Sequence, residues 1–140
     1  MTRGGSKIVV VPWDQYMRDV KLLAKALIRK FERPSDDINL YGIPHGGAIL
    51  ALLLHYQEPE VFRICASTYD GPLVLVDDII DSGATMKRAT DTLFKRGQHL
   101  ACVASLYLRT GCPEPPEVFV ANYAIGIHVQ FPYENERSTF

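Results

Sequence analysis

The stretch Leu73-Val-Leu-Val-Asp-Asp-Ile-Ile-Asp-Ser-Gly-Ala-Thr-Met86 decides how the chain is read. Leu73–Ile79 predicts a buried strand, because its apolar residues run together as they do where both faces of a sheet are covered. The run delivers Asp77 and Asp78 to the strand's end. Neighbouring side chains there point to opposite sides, so a single packed face cannot hide both. A short turn follows with Gly83 and the hydroxyls of Ser82 and Thr85, and Asp81-Ser-Gly-Ala-Thr85 opens a helix. Met86, Ala89, Thr90, Leu93 and Phe94 share one face of that helix, and Gly97 stands where it should stop.

Working outward, the same alternation continues on both sides. Upstream, Val20, Leu23, Ala24, Leu27, Ile28 and Phe31 repeat at helical spacing, with Asp14 as the expected N-cap and Arg33-Pro34 as the stop. Ile38–Ile43 predicts a strand that runs into the turn Pro44-His-Gly-Gly47, and an apolar helix follows over Ala48–Tyr56. Val61–Ser67 predicts a short strand. Downstream come the apolar strand Leu100–Leu108, a proline-rich loop over Arg109–Pro116, a last short strand over Val118–Ala121, and an extended loop over Ile125–Phe140. Strand and helix alternating in this way predict an α/β fold with a mainly parallel central sheet flanked by helices.

Composition narrows the class. The 140 residues are the length of one domain, 47% hydrophobic and 22% charged, which excludes disorder, collagen and coiled coil. The longest apolar run, Ala48–Leu54, is far below the ~18 residues of a membrane span. The start predicts no signal peptide, since Ile8-Val-Val-Val11 ends at Pro12. Fifteen basic against sixteen acidic residues give a net charge of -1, so there is no overall basic footprint for nucleic acid. Cys65, Cys102 and Cys112 lack metal-ligand spacing, and the expected compartment is the cytoplasm.

Ligands of open α/β sheets bind beyond the carboxyl ends of the strands. A helix N-terminus carrying Gly83, Ser82 and Thr85 is a phosphate cradle, with free backbone N–H groups and a favourable dipole. Carboxylates beside it suit a sugar phosphate, their oxygens accepting from ribose hydroxyls. The plainer alternative is a helix capped by Asp81 or Ser82, with Asp77 and Asp78 solvated. A second strand end, Tyr41-Gly-Ile-Pro-His-Gly-Gly-Ala48, carries two glycines. They permit close backbone approach to a ligand, although tight strand–helix packing explains them equally well.

The Leu73–Met86 stretch resembles the motif by which type I phosphoribosyltransferases bind 5-phosphoribosyl diphosphate (PRPP): hydrophobic strand, two acids, then a Thr-Gly-x-Thr-like loop. Ser82 stands where threonine is usual and keeps the hydroxyl. The resemblance implies the type I phosphoribosyltransferase fold. It implies that Asp77 and Asp78 contact the ribose hydroxyls, while Asp81, Ser82, Gly83, Ala84 and Thr85 hold the 5′-phosphate. Asp81 would also handle the purine N7 proton as the catalytic residue. Pro44-His-Gly-Gly47 is similar to the family's pyrophosphate loop, which implies PRPP contacts from His45, Gly46 and Gly47 and a cis peptide between Pro44 and His45. The xanthine–guanine members carry Arg-Gly-Gly there, and a neutral His45 offers a pyrophosphate less charge.

Most of the chain resembles these xanthine–guanine enzymes. Trp13-Asp14 is similar to their Trp-Asp entry to the first helix, and Ser67-Thr-Tyr-Asp70 to the end of the strand before their mobile hood. Arg109 sits where they carry a lysine that reads the purine's 6-oxo group, though an arginine after a strand is also an ordinary surface residue. His128-Val-Gln-Phe-Pro-Tyr-Glu134 is similar to their base-closing tail. This implies that His128 stacks on the base, that the Val129 backbone meets its edge, and that Glu134 replaces an aspartate. The expected organisation is one domain over 1–140, with a core over 8–122 and a base-closing tail over 123–140.

Between Tyr69-Asp70 and Leu73 lie only Gly71-Pro72, which leaves no chain for a hood. Either Val61–Tyr69 pairs antiparallel with Leu73–Ile79, or the strand ends near Cys65 and Ala66–Pro72 runs straight back. The resemblance implies Mg²⁺-dependent transfer of a 5-phosphoribosyl group to a 6-oxopurine, with Asp77 and Asp78 reaching Mg²⁺ only indirectly, through PRPP. The alternative is a non-catalytic PRPP- or nucleotide-binding regulatory or effector subunit on the same fold. The expected partners are PRPP, a purine base or nucleotide and further copies of the chain, with neither membrane nor nucleic acid.

Overall fold

The computed structural model describes residues 2–3, 6–31, 37–65 and 73–134. In chain order the elements are β1 (Thr2–Arg3), β2 (Ser6–Val10), α1 (Trp13–Phe31), β3 (Ile38–Gly42), α2 (Gly46–Gln57), β4 (Phe62–Ile64), β5 (Leu73–Ile80), α3 (Ala84–Lys95), β6 (Leu100–Arg109), β7 (Ala121–Tyr123) and β8 (Ile127–Gln130). A five-stranded sheet has the order β4-β3-β5-β6-β7 with every pairing parallel, and a small sheet has the order β1-β2-β8. The α/β class with a mainly parallel central sheet is as expected.

The apolar run of β5 divides between two faces. Val74 and Val76 pack with Val20, Leu23 and Leu27 of α1 and with Leu50 and Leu54 of α2. Leu73 and Leu75 pack on the other face with Met86 and Leu93 of α3. Helices cover both faces, which is why the strand reads as continuously hydrophobic rather than alternating. Of the described helices, none is long and apolar enough to cross a membrane.

Several boundaries differ from the sequence expectations. Helix α1 begins at Trp13, with the Tyr16 amide bonded to the Pro12 carbonyl, so Asp14 lies in the first turn instead of capping it. Strand β4 is only Phe62–Ile64 and runs parallel to β3, on the side away from β5. That excludes the antiparallel pairing of this segment with β5. Ser67–Asp70 lies outside the described residues. Val118 makes only an isolated bridge to Ala104, and the last strand of the main sheet is shifted to Ala121–Tyr123.

The chain's end is not a plain extended loop. Ile127–Gln130 is a strand paired parallel to Lys7–Val10. Beyond it, Phe131 is buried against Tyr107 and Tyr16 in the main core. Each of these two strands is short, and neither repeats clearly enough to announce a partner more than a hundred residues away. Their pairing brings residues 131–134 under the carboxyl end of β5.

Candidate functional site

The site forms where β3 and β5 end side by side, and two glycines face two acids there. Gly46 lies against Asp78: a Cβ added to it would fall 1.9 Å from Asp78 Oδ2 and 2.8 Å from the Tyr133 hydroxyl. Gly47 lies against the next stretch of backbone, where a Cβ would meet the Val76 carbonyl at 2.5 Å and Asp77 Oδ1 at 3.2 Å. Close packing of the turn on the strand therefore requires both glycines. The peptide between Pro44 and His45 is cis, as the resemblance implied, and His45 is exposed at the start of α2.

The two acids meet different surroundings, as the alternation along a strand demands. Asp78 Oδ1 accepts from the Ile79 amide at 2.8 Å, and Oδ2 accepts from the Tyr133 hydroxyl at 2.6 Å. Asp77 Oδ1 accepts from the Asp78 amide at 2.9 Å, and the Asp77 side chain lies toward the turn that opens α3. Burial, with the neighbouring Asp78 charge adding to it, pushes the Asp77 carboxyl up to about 8. Tyr133 is pushed upward too, first by burial and then by Asp78.

Ile79 to Met86, with Asp77, enclose a small hollow of about 60 Å³ at the start of α3. Gly83 precedes the helix with φ of 89°, a left-handed conformation that favours glycine. Gly83 caps nothing through a side chain, and the Ser82 hydroxyl accepts only the Ala84 amide at 3.2 Å. The helical ladder starts with the Lys87 amide on the Gly83 carbonyl, so the amides of Thr85 and Met86 in the first turn lack an intrahelical acceptor. The hollow is thus lined by N–H donors and two hydroxyls, the chemistry an anionic oxygen needs.

A larger open pocket of about 530 Å³ adjoins it, lined by Asp81, Ser82, Arg109–Pro113 and Ile125–His128. Asp81 and Ser82 line both spaces, so the two lie side by side. Arg109 Nε pairs with Asp81 Oδ1 at 2.8 Å, and its Nη1 donates to the carbonyls of Ala124 and Ile127. Arg109 is therefore a fixed part of the pocket wall, not a free surface arginine. His128 is exposed within the pocket. Val129 is buried in β8, and Glu134 accepts from the Phe131 amide at 2.8 Å. Glu134 closes the turn of the tail and does not line the pocket.

Of the residues expected at the site, Asp77, Asp81, Ser82, Gly83, Ala84 and Thr85 share the hollow, while Asp81, Ser82, Arg109 and His128 share the pocket. Gly46 lies against Asp78 and Gly47 against Asp77, and neither glycine nor Asp78 lines either space. Sequence reasoning did not pair Tyr133 with Asp78, nor place the Thr110–Pro113 and Ile125–Ile127 walls. It also missed the core residue Tyr16, outside the site, although Tyr16 extends the helical spacing of Val20, Leu23 and Leu27 backwards by one turn.

Among the described residues, no group of three or more His, Cys, Asp or Glu could hold a metal ion. Both Asp78 oxygens already accept protein hydrogen bonds.

Residues 22–136 match the family model of the Phosphoribosyl transferase domain. The xanthine-guanine phosphoribosyltransferase of Gluconobacter oxydans is 27% identical over 147 residues, covering 89% of this chain and 83% of its own length. Among solved structures, a purine phosphoribosyltransferase from Pyrococcus horikoshii superposes with a TM-score of 0.73 at 21% identity, over 92% of this chain and 95% of its own. The Helicobacter pylori xanthine-guanine-hypoxanthine phosphoribosyltransferase gives 0.72 at 16% identity, over 94% and 97%. A parallel sheet with a strand that carries two acids near its end, together with a family match over most of its length, assigns this chain to the phosphoribosyl transferase family, as a type I phosphoribosyltransferase similar to the purine phosphoribosyltransferases.

Proposed function

We propose that the protein transfers the 5-phosphoribosyl group of PRPP to a 6-oxopurine, releasing pyrophosphate. The observation that carries this reading is the sharing of Asp81 and Ser82 between the hollow at α3 and the larger pocket. A sugar phosphate anchored by its 5′-phosphate at α3 would point its anomeric carbon toward a base lying in that pocket. Asp77 and Asp78 would accept from the ribose hydroxyls. The turn at His45, Gly46 and Gly47 would receive the pyrophosphate.

In the reaction the bond from C1′ to the pyrophosphate oxygen breaks, and its electron pair leaves with pyrophosphate. A bond forms from the purine nitrogen to C1′, and the base gives up a proton. Positive charge builds on the ribose, so the Asp78 carboxylate beside it would stabilise the transition state. Asp81, exposed at the pocket and paired with Arg109, would accept the proton at N7. Arg109 keeps Nη2 without a protein acceptor among the described residues, and that donor suits the 6-oxo oxygen. His128 offers a ring for stacking. Mg²⁺ bound to PRPP would neutralise charge on the leaving pyrophosphate.

An oxocarbenium-like ribose in open water would be attacked by water. Eight residues, 65–72, join β4 to β5 and are too few for a long hood. We propose that a second copy of the chain supplies cover, with its interface beside the Gly46 and Asp77 strand ends. Light scattering at working concentration tests this, a dimer or larger assembly supporting it and a monomer contradicting it. The transfer itself is tested by incubating the protein with PRPP, Mg²⁺ and guanine, xanthine or hypoxanthine and separating the products. Nucleotide formation supports the reading. PRPP binding without product would make the protein a binding subunit instead.

A further inference from the structure

We infer that Tyr133 is a positioning residue for Asp78, holding this carboxylate against the Gly46 turn in the orientation in which it receives the ribose of PRPP. The inference rests on the PRPP reading above and adds to it a residue from the chain's tail. A carboxylate at a strand end ordinarily turns freely in water. Asp78 does not, because Ile79 donates to one oxygen and the Tyr133 hydroxyl to the other. At 2.6 Å the phenol bond has the length of a charge-assisted O–H···O⁻ contact.

Tyr133 is itself held before any ligand arrives. Its ring is stacked on Phe131, with centroids 5.4 Å apart and planes at 10°, and meets Tyr16 edge-on at 5.8 Å. Phe131 is buried in turn, so the hydroxyl is aimed by packed rings rather than by a flexible stem. The close approach of Gly46 to both Asp78 Oδ2 and the Tyr133 hydroxyl puts the pyrophosphate turn, the ribose acid and the tail at one point. A carboxylate oxygen can accept more than one hydrogen bond, so Tyr133 fixes Oδ2 and still leaves it able to receive a ribose hydroxyl.

Tyr16 supplies the internal contrast. Its hydroxyl is fully buried in the same aromatic cluster and has no hydrogen-bond partner among the described residues. Packing alone therefore does not demand a bonded phenol here. The bond from Tyr133 is specific to the carboxylate.

The test is calorimetric titration of the full chain with PRPP and Mg²⁺, for wild type, Tyr133→Phe, Asp78→Asn, the double variant and Tyr16→Phe. Tyr133→Phe keeps the ring and is expected to fold. Loss of a hydrogen bond to a charged group should weaken PRPP binding about ten-fold. KM for PRPP should rise while KM for the base stays unchanged, a split that a purely structural role would not produce. The double variant should bind no more weakly than Asp78→Asn alone, because the two substitutions remove one interaction. Tyr16→Phe should bind like wild type. The inference is overturned if Tyr133→Phe binds PRPP as wild type does, if the two losses simply add, or if Tyr16→Phe causes the same loss. A wild-type protein that does not bind PRPP at all overturns the functional reading, and this inference with it.

Discussion

Arg109 Nε donates to Asp81 Oδ1 at 2.8 Å, tying the end of β6 to the turn that opens α3. The same guanidinium reaches the carbonyls of Ala124 and Ile127 through Nη1, on either side of the turn that leads into β8. One side chain thus links the sheet, the turn before α3 and the tail. Its planar fork suits that task, whereas the point charge of a lysine could not meet the carboxylate and both carbonyls in the same geometry.

Arg109→Ala is expected to lower the unfolding free energy by about 2 kcal/mol, since it removes hydrogen bonds from a mostly buried group. It should also raise KM for the base more than KM for PRPP. Arg109→Lys should recover only part of either loss. Urea unfolding and steady-state kinetics check both, and unaltered stability in Arg109→Ala would show that the clip holds nothing.

Gly46→Ala should fold but bind PRPP at least about ten-fold more weakly, because its Cβ would displace the Asp78 carboxylate or the turn itself. Gly47→Ala should be worse for folding, since the atom it meets is the Val76 backbone carbonyl, which cannot swing aside. Thermal melts and PRPP titration separate the two effects. Equal behaviour of the two variants would contradict the packing described here.

Asp77 carries a pH signature. Burial, with Asp78 beside it, pushes its carboxyl up to about 8, above the ordinary value of 3.8. The folded protein therefore holds that proton more firmly than the unfolded chain. Stability contributed by neutral Asp77 is fully present below the ordinary value and is lost as pH rises through about 8. Asp77→Asn, which stays neutral, should flatten that decline and melt no lower than wild type above pH 8. It should also weaken PRPP use while leaving the fold intact. A wild-type melting temperature that rises across this range would contradict the assignment.

Thr85→Val should weaken binding of ribose 5-phosphate with little change in melting temperature, as it removes an exposed hydroxyl from the start of α3. Gly83→Val should damage both, since φ of 89° is unfavourable for a β-branched residue. Titration with ribose 5-phosphate and with inorganic phosphate gives the readout. Wild-type affinity in Thr85→Val would place the phosphate elsewhere.

The part of the site that was legible in the sequence is local. In β5 and the turn after it, apolar strand, acids, glycine and hydroxyls follow one another within fourteen positions, so spacing alone aligns them. The cis turn before α2 was legible by resemblance to a motif of the same compact kind. What was not legible depends on contacts between distant segments. Tyr133 and Asp78 are 55 positions apart, and their hydrogen bond exists only because β8 pairs with β2. Those strands, Ser6–Val10 and Ile127–Gln130, are too short to show a strong period. Arg109 was legible as a candidate base contact, but its role in the pocket wall was not, because its acceptors come from the turn after β5 and from the tail.

The most direct test of phosphoribosyl transfer is to follow pyrophosphate release from PRPP and Mg²⁺ with and without a 6-oxopurine, measuring nucleotide in the same samples. Release that requires the base, with one nucleotide formed for each pyrophosphate, is the predicted result. Release without base, or none under conditions where PRPP binds, would contradict it.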